Sequence, residues 1–150
     1  MRTQEDYDYL HQIIPNLYLG GIQAGWNPFI LEAYNIQAVL QILPTEPPST
    51  VEHIDRLVVP IEDDSGENIK YIFNQSFYWI ESQLNANRKV LVHCFAGISR
   101  SATIVIAYLM RKFSWEYEKA LEYVQEKRKC IDPNIGFLQQ LQQYEIELFS

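Results

Sequence analysis

One cysteine and one arginine flank a short glycine-containing segment in the run His93-Cys94-Phe95-Ala96-Gly97-Ile98-Ser99-Arg100-Ser101. The run before it, 89–92, predicts a buried strand, and the run after it, 102–110, predicts a buried helix. The segment is therefore predicted to be a loop that leads from a strand into a helix N-terminus. Such a terminus leaves backbone N–H groups unpaired and carries a partial positive charge, which favours the binding of an anion.

The residue types in this loop suit the binding of a phosphate group. Gly97 permits the positive φ that converging backbone amides usually require. The planar guanidinium of Arg100 matches two phosphate oxygens. In the same positive field, the thiol of Cys94 is expected to ionise more readily than that of a free cysteine, which makes it a nucleophile facing the phosphate. The backbone amides expected to donate to the phosphate are those of Phe95, Ala96, Gly97, Ile98, Ser99 and Arg100.

Two neighbours of the cysteine are expected to support it. Ser101 should hydrogen-bond to Cys94 and help the sulfur to leave in a second step, and His93 should brace the loop rather than transfer protons. The simpler alternative is that Cys94 is an ordinary buried cysteine at the end of a core strand, which is common for this residue type. Gly97, the two serines and the strand-to-helix context favour the phosphate site.

A phosphate ester also needs its leaving oxygen protonated, so a carboxylic acid should come from a second loop. The segment 58–68, Val-Val-Pro-Ile-Glu-Asp-Asp-Ser-Gly-Glu-Asn, places four acids just after an apolar strand. One of them is a candidate general acid, and composition alone does not choose among them. The alternative is a solvated acidic loop, because charged runs usually lie at the surface.

These residues resemble the cysteine-dependent dual-specificity protein phosphatases, whose signature is His-Cys, five further residues, and Arg-Ser or Arg-Thr. Three other segments are similar to the same family. They are 14–20, which resembles its opening strand, 36–42, which resembles its second strand, and 132–141, which resembles the start of its final helix. The resemblance extends from about residue 13 to the C-terminus and is to the small, atypical, single-domain type.

The resemblance implies a mechanism in two steps. Cys94 attacks phosphorus while Arg100 and the loop amides hold the oxygens; water then hydrolyses the phosphocysteine. In the family, the general acid is an aspartate five residues before an asparagine that opens the next helix. This pattern selects Asp63 as acid and later base, with Asn68 as the supporting asparagine and Asp64 as the alternative acid. No metal and no cofactor are implied.

The implied substrate is a phosphorylated protein that carries phosphotyrosine and phosphoserine or phosphothreonine. Phe95 and Ile98 stand where resembling lipid phosphatases carry lysines, and their apolar character disfavours phosphoinositides, although a shallow pocket would admit other non-protein phosphate esters. The segment 123–134 is also similar to a pseudophosphatase branch that binds phosphoproteins without hydrolysing them. That branch has glycine where this chain has Cys94. A phosphoprotein-binding module with little or no turnover is therefore the alternative function.

The chain has 150 residues, of which 47% are hydrophobic, and this composition suits one globular domain over 1–150. Strands that alternate with helices predict an α/β fold with a mostly parallel central sheet flanked by helices. Cys94, at the carboxyl end of a strand, lies where such folds bind ligands. The net charge of −7 disfavours nucleic acid as a partner.

No membrane association is expected, because the apolar helix 102–110 is too short to span a bilayer and residues 1–6 lack the apolar core of a signal sequence. A thiolate nucleophile favours a reducing compartment, so the expected location is the cytoplasm or the nucleus. Cys130 is interpreted as a structural cysteine, with a disulfide to oxidised Cys94 as the alternative. The basic run 127–129 is interpreted as complementing the dipole of a helix over 115–127, with a substrate-docking patch as the alternative. The sequence predicts no oligomeric state.

Overall fold

A computed structural model describes residues 8–150, so the expectation about a signal sequence in residues 1–6 lies outside the described residues. Within that range, one sheet has the strand order β1-β2-β5-β3-β4, in which β1 and β2 are antiparallel and every other neighbouring pair is parallel. The prediction of a mostly parallel α/β fold is confirmed. The strands are β1 (Leu10–Ile14), β2 (Leu17–Gly20), β3 (Ala38–Ile42), β4 (Asp55–Val59) and β5 (Val90–His93).

Helices cover both faces of the sheet, as the burial of the strands on both sides requires. Residues of β5 alternate between two apolar clusters: Val90 and Val92 pack on the side of α3 to α6, and Leu91 packs on the side of α1 and α2. The helices are α1 (Ile22–Gly25), α2 (Pro28–Ala33), α3 (Phe73–Asn85), α4 (Arg100–Phe113), α5 (Tyr117–Lys127) and α6 (Ile135–Phe149).

Helix α4 is the buried helix expected over 102–110, and it extends beyond that run at both ends. Every residue from Ser101 to Met110 is buried. A helix that is apolar on all sides must lie inside the molecule, and α4 packs against the sheet and against α3, α5 and α6. None of the helices among residues 8–150 is both long and apolar enough to cross a membrane.

The segment 14–20 is not one strand, as the resemblance implied, because the chain reverses within it. Pro15 and Asn16 form the turn between β1 and β2, and Asn16 has a φ of 71°. Proline fixes its own φ and asparagine tolerates the left-handed region, so this pair favours a tight turn over an extended strand. The helix expected over 115–127 begins at Tyr117, because Glu116 is extended at its N-cap.

Candidate active site

Cys94 directly follows β5, and Arg100 is the first residue of α4, so residues 94–100 form the predicted strand-to-helix connection. We call this segment the phosphate loop. The side chain of Cys94 is buried, whereas Phe95 is 60% exposed. The sulfur therefore lies at the base of the loop, and the side chain of the next residue points to solvent.

All backbone carbonyls from Cys94 to Ser99 accept hydrogen bonds from groups outside the segment 94–99. The donors, in order of the carbonyls, are His93 Nδ1 (3.0 Å), Ile22 N (2.9 Å), Arg128 Nη2 (3.2 Å), Arg128 Nε (2.8 Å), Asp132 N (2.8 Å) and Thr103 N (2.9 Å).

This arrangement decides where the loop amides point. In a planar trans peptide, the N–H points opposite to the carbonyl of the same unit. The amides of residues 95–100 therefore face away from those donors, and none of them donates a backbone hydrogen bond to another residue in the described part of the chain. A row of unpaired amides beside a helix N-terminus is an anion-binding concavity.

Gly97 is required by this geometry. Its φ is +71°, which favours glycine, and a Cβ there would lie 2.5 Å from the carbonyl carbon of Gly20 and 2.7 Å from Arg128 Nη2. Any side chain at this position would push the loop away from β2. The backbone conformation of the loop and its packing against β2 therefore both depend on glycine here.

Ser101 lies beside the sulfur, where the sequence analysis placed it. Its Oγ is 3.1 Å from Cys94 Sγ and 3.4 Å from the carbonyl oxygen of Gly20. When the cysteine is ionised, the sulfur can only accept, so the hydroxyl must donate to it. The hydroxyl is thus placed to stabilise negative charge on sulfur.

The guanidinium of Arg100 joins the phosphate loop to the segment that carries the acids, residues 60–68, which we call the acid loop. Its Nη1 donates to the carbonyl oxygen of Ile61 at 2.9 Å. Its Nε is buried and has no hydrogen-bond partner among the described residues. Buried donors are nearly always paired, and an oxygen of a phosphate group would be a suitable partner for this one.

The acid loop presents Asp63 and Asp64 differently. Asp63 Oδ1 accepts from Asn134 Nδ2 at 2.9 Å, and the backbone N–H of Asn134 donates to Ser99 Oγ at 3.0 Å. Asn134 therefore links Asp63 to Ser99 of the phosphate loop. Asp64 Oδ1 instead accepts from the amide of Gly66 within its own loop. This contact pattern favours Asp63 over Asp64, in line with the resemblance.

Asn134 is a site residue that the sequence analysis did not single out. Its Oδ1 also accepts from Phe137 N at 2.9 Å and so caps α6. An asparagine just before an apolar helical pattern is the usual N-cap signal, and this signal was available. The supporting role of Asn68 stays a prediction: Asn68 is exposed and precedes Ile69, the N-cap of the short 3₁₀ helix Lys70–Ile72.

His93 belongs to a buried polar network behind the phosphate loop. Arg56 Nη1 lies 2.9 Å from His93 Nε2 and 3.1 Å from Gln41 Oε1. An arginine can only donate, so Nε2 must accept, and Nδ1 carries the proton that it donates to the Cys94 carbonyl. Burial lowers the pKa of His93 to about 3, which keeps the imidazole neutral. These contacts fit a structural role for His93, in which it supports the loop and does not transfer protons. No role was predicted for Arg56 and Gln41.

The neutral state of His93 predicts how stability depends on pH. Above pH 6.5 neither state binds a proton at this ring; between pH 6.5 and about 3 only the unfolded chain does, so the free energy of unfolding falls as pH falls. Between these two pH values, His93 should lower the free energy of unfolding by about 1.4 kcal/mol for each unit that the pH falls. Urea unfolding at pH 7, 6 and 5 should show a smaller loss for His93→Gln than for the native chain. Equal losses in both proteins would contradict the assignment.

The basic run 127–129 is not simply a group of solvated cations at a helix end. Arg128 is 3% exposed, and its side chain donates to the carbonyls of Ala96 and Gly97 in the phosphate loop. The interpretation of this run is therefore wrong for Arg128. A buried arginine between two lysines leaves no signal in the sequence, because its partners lie about thirty residues away.

Cys94 and Cys130 are both free and buried, so the role of Cys130 stays a prediction. Among residues 8–150, no cluster of three or more His, Cys, Asp or Glu side chains is arranged to hold a metal ion.

Comparison with known proteins gives the family. The model of the dual specificity phosphatase catalytic domain matches residues 17–147. The human "Dual specificity protein phosphatase 1" is 37% identical over 93% of this chain, which spans only 38% of that protein. The protein of the same name from Arabidopsis thaliana is 36% identical over 96% of this chain and 73% of its own length.

Solved structures agree with this comparison. The crystal structure of human tyrosine phosphatase-like serine/threonine/tyrosine-interacting protein has a TM-score of 0.87 and 37% identity, and the match covers 94% of this chain and 98% of that one. The chain therefore belongs to the dual-specificity phosphatase family.

Proposed function

We propose that this chain is a cysteine-dependent phosphatase that hydrolyses phosphotyrosine and phosphoserine or phosphothreonine in proteins through a phosphocysteine intermediate. The observation that carries the proposal is the phosphate loop itself. Its carbonyls are tied outward, its amides are unpaired within the described chain, and Cys94 lies at its base. Membership of the family supports the reaction class.

In the first step, the thiolate of Cys94 attacks phosphorus, and the bond from phosphorus to the ester oxygen breaks. The loop amides and Arg100 hold the three non-bridging oxygens. The departing oxygen takes a proton from the carboxylic acid of Asp63, so the alcohol or phenol leaves neutral. Asn134 holds Asp63 beside the phosphate loop for this transfer.

In the second step, water attacks the phosphocysteine and Asp63, now a carboxylate, accepts a proton from it. The sulfur–phosphorus bond breaks and its electron pair returns to sulfur. The hydroxyl of Ser101, 3.1 Å away, donates to the sulfur and stabilises the departing thiolate. Inorganic phosphate is released and the starting state is restored.

The charge around the loop supports a protein substrate with a single phosphate at the site. Arg100 is the one cation within the phosphate loop, and Glu62, Asp63 and Asp64 on the acid loop are all exposed. Additional phosphate groups, as in a phosphoinositide, would approach these carboxylates at a cost in free energy. A cleft of about 310 Å³ beside the loop, lined by Tyr9, Ile22 and Phe95 among others, suits an apolar side chain next to the phosphorylated residue.

A phosphoprotein-binding module is the second candidate, because one similar structure is that of a protein named as phosphatase-like and interacting. Cys94 and Asp63, in the positions described, favour turnover over binding alone. A reducing compartment, cytoplasm or nucleus, is part of the proposal, since oxidation would remove the thiolate.

The test is phosphate release by the purified chain, with a chelator present, from matched peptides bearing phosphotyrosine, phosphoserine or phosphothreonine and from a short-chain phosphoinositide. Release from the peptides, with little from the lipid, is expected. Release of phosphate from the lipid alone would overturn the proposal that the substrate is a protein. Binding of the peptides without release of phosphate would favour the phosphoprotein-binding module over the phosphatase.

The place of Ser101 beside the sulfur predicts a specific kinetic change. Ser101→Ala should slow the second step by about 10 to 100-fold, because one hydrogen bond to a charged group is lost, and should leave the first step less affected. Rapid mixing with p-nitrophenyl phosphate should then give a burst of nitrophenol close to one equivalent of enzyme. A linear time course at a lower rate would instead assign Ser101 to the first step.

A further inference from the structure

Arg128 carries a buried positive charge that has no carboxylate partner within residues 8–150. It is 3% exposed, and none of the ion pairs among the described residues includes it. Its guanidinium donates to the carbonyl oxygens of Asp8 (2.6 Å), Ala96 (3.2 Å) and Gly97 (2.8 Å), and its Nη1 lies 2.8 Å from His11 Nδ1. A buried charge is costly unless something compensates it.

Among the groups whose negative charge acts on Arg128, Cys94 belongs to the site. Burial lowers the pKa of Arg128, while negative charge on Cys130, Cys94 and Asp8 raises it. Arg128 donates to two carbonyls of the loop that begins with Cys94, so a buried cation is held against that loop. A cation in such a place favours the ionised form of a neighbouring thiol. This effect acts through buried protein, where charges are poorly screened.

The hydrogen bonds of Arg128 also set the shape of the loop. Nη2 and Nε hold two consecutive carbonyls, those of Ala96 and Gly97, at the point where Gly97 takes its positive φ. By the planarity of the peptide unit, these contacts aim the amides of Gly97 and Ile98 in the opposite direction. The planar fork of arginine suits two adjacent carbonyls, which a lysine can contact only as a point charge.

We propose that Arg128 is a positioning residue for the phosphatase reaction, which aims two amides of the phosphate loop and stabilises the Cys94 thiolate from behind it. The inference rests on the proposed phosphate site. It assigns two separable effects to one side chain: a geometric one on phosphate affinity and an electrostatic one on thiol reactivity.

Two variants separate these effects, because Arg128→Lys keeps the charge but not the fork, and Arg128→Gln keeps neither. Two quantities are measured at pH 7: the inhibition constant of inorganic phosphate against p-nitrophenyl phosphate, or its dissociation constant by calorimetry, and the rate of Cys94 alkylation by iodoacetamide, mapped by mass spectrometry. Arg128→Lys should lose about tenfold in phosphate affinity with alkylation within about threefold of native. Arg128→Gln should lose about tenfold or more in both.

The matched control is Arg88→Gln, which removes an arginine paired with Asp55 near the opposite end of β5. It should change neither quantity. Circular dichroism and thermal unfolding show whether each variant is folded. If Arg128→Gln does not fold, Arg128→Lys decides, and native phosphate affinity in that variant overturns the positioning role. Native values of both quantities in folded Arg128→Gln also overturn it.

Failure of the phosphatase function gives a different result. Phosphate binding and alkylation need no turnover, so the role of Arg128 can be confirmed in a chain that hydrolyses nothing. In that case calorimetry replaces the inhibition assay. A native chain that binds no phosphate at all would overturn both the site and this inference.

Discussion

Replacing Cys94 with serine is expected to lower kcat for p-nitrophenyl phosphate and for phosphopeptides by about 10⁴-fold or more, since removal of a nucleophile costs rates of this order. A serine hydroxyl is far less ionised than a thiol in the same loop and is a poor nucleophile without a neighbouring base. The amides of the loop remain, so the variant should still bind phosphopeptides. Initial rates and calorimetric titration of the two proteins measure both expectations.

Cys130→Ser is the matched control, because Cys130 is also free and buried. It should retain the native kcat within a few-fold. Substantial activity in Cys94→Ser would disprove the thiolate mechanism. A covalent adduct with the mass of one phosphate on Cys94, trapped during native turnover by acid quenching, would support the intermediate directly.

Replacing Asp63 with asparagine should lower kcat by about 10² to 10⁴-fold, the usual contribution of a general acid. The loss should depend on the leaving group. Phenolate needs a proton in order to leave, whereas nitrophenolate leaves more readily without one. The ratio of native to variant kcat should therefore be larger for phenyl phosphate than for p-nitrophenyl phosphate, provided that the first step limits both reactions.

Asp64→Asn is the control for this prediction, because the two aspartates are adjacent and both exposed. The side chain of Asp64 is engaged with Gly66 in its own loop, and Asp63 with Asn134. Asp64→Asn should thus lose less than about tenfold, with no dependence on the leaving group. The reverse order of losses would transfer the acid role to Asp64.

The phosphate loop could be predicted from the sequence because the information for it is local. An apolar run of strand length, a glycine at the turn and an apolar run of helical length surround Cys94, and the backbone follows from them. The position of Ser101 beside the sulfur is also local, since the two residues are seven positions apart. The alternation of strands and helices predicted a mostly parallel sheet but not the order of its strands.

The residues that hold the loop in shape could not be predicted in the same way, since their contacts are long-range. Arg128 and Gly97 are 31 positions apart, Arg56 and His93 are 37, and Asn134 and Asp63 are 71. Nothing in residue type distinguishes Arg128 and Arg56 from surface arginines, whereas the N-cap signal at Asn134 predicts a helix start but not a contact with Asp63. Only the folded chain shows that Arg128 is buried among carbonyls.

The turn between the first two strands shows a different limit of prediction from the sequence. The family resemblance implied one strand over 14–20, whereas the residue types of Pro15 and Asn16 favour a turn. The turn prevails because it lets β1 pair with β2 and extend the sheet by one antiparallel strand. In this segment, residue chemistry was a better guide than the resemblance.

The outward tethering of the loop carbonyls has a consequence for how this protein can diverge. At the proposed phosphate site, Phe95 and Ala96 would contribute only their backbone N–H groups, which every amino acid other than proline supplies. Replacing Phe95, which is 60% exposed, or its neighbour Ala96 should therefore leave the proposed phosphate contacts in place. Substrate preference can thus change independently of phosphate binding. A library randomised at these two positions should yield variants that prefer other phosphopeptides and remain active.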